Sequence, residues 1–296
     1  MPASIVAAVT SVIQSAASAL WIAAELLFYS AVWFCGLALL VKGKDAIAGA
    51  RKAAKEIRLN LSILVLDVLF VAPFVAVAVD LVRRGVDLLP FGVVDVHTWD
   101  VLGKGGTAFA AVFIGDFFSY WRHRLEHTHL FWPAHAVHHS DTEMTWLTLG
   151  RFHPIDRIVT ATVDIALLSL LGFPTWALIF NEIVRHHYGE FIHADFPWTY
   201  GPLGRVFVSP VMHRWHHARD VVGAGSNFAT VFSVFDQAFR TYHVPGLCNV
   251  PLGVTDDIAP GVMGQLRFPL VAWAREYLPT PSKAPTEVSV SQDVSV

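Results

Sequence analysis

Apolar and polar stretches alternate along the chain at lengths that suit a membrane. Residues 1–18 are apolar with scattered Ser, Thr and Gln and no basic start, so a cleaved signal peptide is not expected. Residues 19–41 form an apolar run of bilayer length with one charge, Glu25. The stretch 42–58 then carries Lys42, Lys44, Arg51, Lys52, Lys55 and Arg58 against Asp45 and Glu56, and this basic loop is expected on the cytoplasmic side. Residues 61–82 make a second span, interrupted by Pro73; Arg83 and Arg84 follow on the opposite side, a small departure from the charge rule. Residues 85–106 read as a loop, with Pro90 near its start and Gly103, Gly105 and Gly106 at its end. A third, shorter apolar helix over 107–121 returns the chain to the cytoplasm near Trp121.

Residues 158–180 read first as one span. Gly172-Phe173-Pro174 is a turn signal in mid-run, so two shorter helices, about 157–171 and 175–188, are expected to enter and leave on the cytoplasmic side. Polar backbone at that tip needs protein neighbours or a place near the far interface. Residues 189–275 are less hydrophobic, punctuated by prolines, and predict a cap of short helices and loops. Residues 276–296, polar and Pro/Ser-rich from 279 onward, predict a disordered tail. The predicted fold is all-α: an integral membrane helical bundle of about four spanning elements, the last a returning hairpin, with a cytoplasmic histidine-rich helical cap.

Composition agrees. Of 296 residues, 54% are hydrophobic and 15% charged, on the membrane side of the soluble range. A net charge of −3 leaves no basic surplus for nucleic acid. Cys35 and Cys248 lie far apart in no CxxC pattern, which excludes a disulfide framework and a thiolate zinc site. Histidine departs from the pattern, with 15 residues, most of them between His123 and His217.

On a helix, positions i, i+3 and i+4 share a face. His123 and His127 have that spacing, as do His135, His138 and His139, and again His213, His216 and His217. Each group can aim its imidazoles at one place. Eight histidines exceed what one first-row metal takes, so they suit two; imidazole favours iron, zinc or copper over magnesium or calcium. A lone histidine on an apolar face is usually a hydrogen-bonded core residue, and that reading serves His97, His129 and His243. His153, His186 and His187 fit either reading. Asp116, Tyr120, His123 and His127 form one stripe, and Asp116 lies in an apolar segment where a charge is costly. It is expected to accept a hydrogen bond from a metal-binding histidine. Glu126 is expected to form a solvated salt bridge with Arg122. The chain has no HExxH, no GxSxG and no nucleotide-binding glycine loop.

The three boxes HRLEH (123–127), HAVHH (135–139) and HRWHH (213–217) resemble those of the fatty acid hydroxylase/sterol desaturase superfamily of membrane di-iron enzymes. The resemblance covers roughly 105–245 and includes FFSYWRHRLEH, RFHP (151–154), the stretch before the last box and FSVFDQAFRTYH (232–243). Asp195 stands where the family commonly has Asn, Phe235 where it has Trp and Arg240 where it has Gly. The apolar runs give an N-terminal transmembrane hairpin with connecting loops over 1–104, and the resemblance implies a hydroxylase-like catalytic domain over 105–275. It also implies two Fe ions on the eight patterned histidines, with His193 as a ninth ligand and His187 as a tenth, His186 competing for the last place. Asp236 is a further candidate to support a ligand. The implied activity is O2-dependent oxidation of a lipid C–H bond, hydroxylation or desaturation. The lipid would enter from the bilayer, past residues such as Phe117, Phe118, Trp146, Trp176 and Phe191. No flavin, nicotinamide or haem-attachment motif is present, so an external electron donor is implied, a ferredoxin or a cytochrome b5-type protein. The competing readings are a membrane zinc-binding or metal-transport protein and a bis-histidine haem carrier; haem needs two opposed histidines, not clustered triplets.

Overall fold

The computed structural model of the chain describes residues 3–89, 94–221 and 225–278. Most of the predicted tail and the predicted loop around Pro90 lie outside these residues.

The first helix, α1 (Ala3–Lys42), is 40 residues long. Its outer half exposes Trp21, Ile22, Leu26, Phe28 and Trp33. A helix so apolar on its outer face suits lipid rather than water. Gly43, in the left-handed region at φ +57°, turns the chain. The basic stretch that follows is helical, not a loop: α2 (Asp45–Lys52) and the start of α3 (Ala54–Leu66) carry it. Lys and Arg are good helix formers, and α2 buries no residue, so its charges stay on the surface. A π-helical turn over Asp67–Val71 joins α3 to α4 (Ala72–Asp87). Pro73 has no N–H and would crowd a regular α turn, and the wider π turn just before it lets the helix run on. A short 3-10 turn over Val96–Leu102 leads into α5 (Gly103–Glu126), longer at both ends than the apolar run suggested.

Among the described residues, three stretches are long and apolar enough to cross a membrane: Ile13–Lys42, Ala54–Asp87 and His97–Glu126. The next two long helices, beyond the short α6 (Trp132–His139), are α7 (Pro154–Leu170) and α8 (Thr175–His193). They are not among those three, but they fold as a returning pair. At the tip, the Trp99 indole donates to Leu171 O at 2.8 Å and its ring stacks on Phe173 at 3.9 Å. Val94 N donates to Leu170 O at 3.3 Å. Gly172 has φ +69°, and a Cβ there would lie 1.9 Å from Val94 O, so no other residue fits this turn. The tip's polar backbone thus finds protein neighbours. The other ends of α7 and α8 meet α6. α4 packs on α7, and α5 on both α7 and α8. Gly115 of α5 makes the close approach to α8, where an added Cβ would be 2.5 Å from Asn181 Oδ1.

The remaining described residues hold α9 (Pro210–His216), α10 (Val234–Ala238) and α11 (Gly261–Tyr277), joined by loops. No strand occurs among the described residues; Ala218 and Leu252 form one isolated bridge. A core of Val112, Tyr120, Met212, Phe228, Phe232 and Phe235 ties α5 to this cap. Arg240 has φ +60°, a conformation glycine adopts freely, at the position where the family pattern has Gly.

Candidate metal centre

Four helices deliver the histidines, with His193 at the end of α8. His123 is in the last turn of α5, and His127 closes that helix. The eight-residue α6 begins with Pro133 in its first turn and carries His135, His138 and His139, all buried. In α9, Ser209 caps the helix by accepting from Met212 N at 3.1 Å; His213 and His216 lie within it and His217 at its end.

The spacing sends these side chains to two places. His123, His127, His135, His139 and His216 form one cluster, and His138, His193, His213 and His217 form a second. The i, i+4 pairs stay together, while the middle histidine of each HxxHH crosses to the other cluster. The clusters adjoin: the rings of His139 and His217 stack with centroids 4.2 Å apart.

Hydrogen bonds fix the rings. His123 Nδ1 donates to Phe228 O at 2.7 Å, His216 Nδ1 to Ser226 O at 2.7 Å and His193 Nδ1 to Gly189 O at 2.7 Å. His135 Nδ1 lies 3.1 Å from Asp156 Oδ2. A carbonyl can only accept, so the neutral rings of His123, His216 and His193 keep their bare lone pair on Nε2. These lone pairs point inward. His123 Nε2 is 3.1 Å from His135 Nε2, and His193 Nε2 is 3.2 Å from His138 Nε2 and 3.0 Å from His213 Nε2. His139 Nε2 is 3.2 Å from His135 Nε2. His127 Nε2, His216 Nε2 and both nitrogens of His217 are buried without a partner. A proton on His135 would satisfy one or two of these contacts, but a cation in each cluster satisfies one inward nitrogen of every histidine in it. Two nitrogens set at right angles about a metal, with bonds of about 2.1 Å, lie about 3 Å apart. The donor set therefore fits two first-row metal ions.

Electrostatics favours the ligating form of the imidazole. Burial, reinforced by neighbouring imidazoles, holds His127, His138, His139, His213 and His217 well below the usual histidine range, and burial pushes His216 to about 3. His135 goes the other way. Burial lowers it, but Asp156 and then Glu126 outweigh burial and raise it. A carboxylate on the outer nitrogen also makes an imidazole a more basic ligand.

The supporting residues differ from the sequence expectation. Asp116 touches no histidine. Fully buried, it accepts from Thr230 N (3.1 Å), Val231 N (3.0 Å) and Phe232 N (2.7 Å). Asp236 accepts from Phe228 N (2.7 Å), Ala229 N (3.0 Å) and the Thr241 hydroxyl (2.7 Å). Burial lifts the Asp236 carboxyl to about 6, partly offset by these donors. Both acids clamp the 228–232 loop, whose Phe228 carbonyl holds His123, so they act on the centre at one remove. Glu126 does pair with Arg122, at 2.6 Å, but the pair is buried rather than solvated.

His187 joins neither cluster. It is 60% exposed and pairs with Glu190 at 3.0 Å, and His186 is 55% exposed. His153 caps α7, accepting from Ile155 N at 3.2 Å, and His129 is exposed. Phe117 packs on Phe235, Trp146 stacks on Phe34 and Phe191 packs near Trp198. Phe118 packs against Phe117, and Trp176 is exposed. Asp195 bridges Lys42 of α1 and Arg214 of α9, which accounts for an acid in place of Asn.

Sequence reasoning missed Asp156, although its place in the first turn of α7, just after the RFHP segment, was a signal. It also missed the brace behind α6. Arg151, 1% exposed, bonds Asn60 at 2.6 Å, Ser140 at 3.1 Å and Glu56, while Asp141 accepts from Asn60 at 2.9 Å and Thr148 at 2.7 Å.

Comparison with known proteins covers the same stretch of the chain. The fatty acid hydroxylase family model matches residues 108–241. An ornithine lipid hydroxylase of Rhizobium tropici is 31% identical over 182 residues, 61% of this chain and 54% of that protein. The alkylglycerol monooxygenase of Homo sapiens is 30% identical over 164 residues, 54% of this chain and 35% of the relative. A putative methylsterol monooxygenase of Dictyostelium discoideum is 27% identical over 142 residues, 46% and 50% of the two chains. The matches to these three thus span about half of each relative or less. No solved structure matches. Through the segment that carries all nine clustered histidines, the chain is similar to members of the fatty acid hydroxylase/sterol desaturase superfamily.

Proposed function

We propose that this chain is a membrane-bound, O2-dependent lipid hydroxylase whose nine clustered histidines hold two iron ions. One observation carries the reading: inward-facing Nε2 atoms 3.0–3.2 Å apart in two adjoining clusters, with outer nitrogens committed to protein acceptors in both. Bound there, the metals would supply the O2 activation that no side chain can. In the overall reaction a C–H bond of the lipid becomes C–OH. One oxygen atom of O2 enters the product and the other leaves as water, with two electrons and two protons taken up. The electrons come from a separate ferredoxin or cytochrome b5-type donor.

The chain's own residues bind and orient. The imidazoles stay neutral and act as ligands, not as acids or bases. Phe228 O, Ser226 O, Gly189 O and Asp156 fix the ring rotations, and the Arg151 brace sets α6 against α3. The names of the relatives, hydroxylase and monooxygenase, favour hydroxylation over desaturation. The basic stretch at 42–58 supports a cytoplasmic centre. The test is lipid profiling of cells expressing the chain against cells expressing His138→Ala. A lipid 16 mass units heavier is expected only with the unaltered chain and only with O2. Two tightly held zinc ions that iron cannot replace with gain of activity would favour the zinc-binding reading instead.

A further inference from the structure

A cavity of about 200 Å³ opens onto both histidine clusters, and its floor includes His123, His135, His138, His193 and His213. Its walls set charged side chains among apolar ones such as Leu64, Leu149, Phe152 and Ile192. On α8, Glu182, Arg185 and His186 fall on one stripe; on α7, Arg157, Thr160 and Asp164 do. Polar stripes inside an apolar hairpin are costly unless something polar uses them. Arg122, Asp164 and Arg185 form the inner ring: Arg122 Nε lies 2.8 Å and Arg185 Nη1 2.7 Å from Asp164, with side chains 9%, 12% and 10% exposed. The ring is not closed. Arg185 Nε is buried with no acceptor. Nearer the mouth, Asp67 and Arg157 stand 3.8 Å apart, too far for a hydrogen bond, and Glu182 is exposed with no hydrogen bond or ion pair among the described residues.

Size and charge together select the occupant. Pockets for whole drug-sized ligands hold about 300–1,000 Å³, so this chamber takes a part of a lipid. An alkyl segment there would strip water from Arg157, Asp67 and Glu182 without replacing their hydrogen bonds. We propose, resting on the lipid hydroxylase reading above, that the chamber receives a zwitterionic lipid headgroup. Its anionic oxygens meet Arg185 and Arg157, and its ammonium meets Glu182 and Asp67. The acyl chains remain outside, and the carbon that gains oxygen lies in the headgroup or next to it.

The test uses the full chain in detergent, offered an equimolar mixture of phosphatidylethanolamine, a phosphate-free amino-acid lipid and diacylglycerol, with retained lipid counted by native mass spectrometry. One or both zwitterionic lipids should be retained over diacylglycerol by roughly tenfold or more, the worth of one charge-assisted hydrogen bond. Which of the two leads tells whether phosphate or carboxylate supplies the anion. Arg185→Gln and Glu182→Gln should each cut that preference by a similar factor. Glu182 is exposed, so its variant keeps the test valid if Arg185→Gln fails to fold; metal content and melting temperature verify this. Equal retention of diacylglycerol, or an unchanged preference in Glu182→Gln, overturns the proposal. So does a product whose added oxygen sits on an acyl fragment rather than the headgroup fragment in tandem mass spectra. Binding is read without turnover, so a chain that oxidises no lipid sinks the hydroxylase reading while the binding preference still decides this one.

Discussion

The two histidine clusters sit side by side yet are held differently. In the five-membered cluster, His123, His135 and His216 each commit an outer nitrogen, two to carbonyls and one to the Asp156 carboxylate. In the four-membered cluster, His193 is pinned by Gly189 O, while His213 Nδ1 and both nitrogens of His217 have no partner. A ring fixed from behind presents its lone pair at one angle, whereas an unpinned ring can rotate. The first cluster is thus the rigid, electron-rich half of the centre. The second has fewer donors and fewer anchored rings.

The largest effect should come from α9, where His213 and His216 lie three residues apart and serve opposite clusters. His216→Ala and His213→Ala should each abolish lipid oxidation and each lower bound metal from two ions per chain toward one. Metal analysis with activity on the same samples checks this; a variant that keeps both ions and full activity would remove that histidine from the centre. Next comes Asp156→Asn, which keeps shape but loses the carboxylate behind His135. Metal affinity of the five-membered cluster should drop about 10- to 100-fold, with the other cluster unchanged. In chelator titration the later of the two release steps should then move toward the earlier one, and a uniform loss from both clusters would erase the asymmetry.

Acid should act on both clusters. Unfolded histidines take up protons near 6.5, while burial holds the clustered imidazoles well below that, His216 at about 3. Below about pH 6.5 the unfolded chain therefore binds more protons than the fold, and stability falls as pH falls through that window. Metal is released in the same window, because only neutral imidazole ligates. In the metal-free protein His135 opposes the trend: its raised value gives a contribution present below 6.5 and lost as pH rises through its folded value. The depressed histidines outnumber it, so melting temperature against pH should fall on the acid side. The smallest effect is expected from Asp236→Ala. Each backbone N–H left without an acceptor at Phe228 or Ala229 should cost about 1–3 kcal/mol, read as a lower melting temperature, with activity reduced through His123 rather than lost.

Much of this was legible in the sequence. The apolar runs marked the long helices, and Gly172-Phe173-Pro174 marked the hairpin tip because only glycine fits against Val94 O. The spacing of the boxes marked the ligand-bearing faces. It did not show that each HxxHH divides between clusters, since that depends on how α6 and α9 cross. Nor did it show the ring anchors, because the carbonyls of Phe228, Ser226 and Gly189 leave no trace in residue type. Asp116 stood out as an acid in an apolar helix, but its partners are backbone N–H groups more than a hundred residues away. His187 had the right residue type and place in the chain, yet α8 turns it outward.

The most direct measurement is metal content of the full chain purified from iron-supplied cells, paired with its release profile in chelator. Two iron ions per chain are expected, leaving in two steps, the four-histidine cluster first. A single ion per chain, or two that leave together with equal affinity, would contradict the division of the nine histidines into a rigid cluster and a looser one.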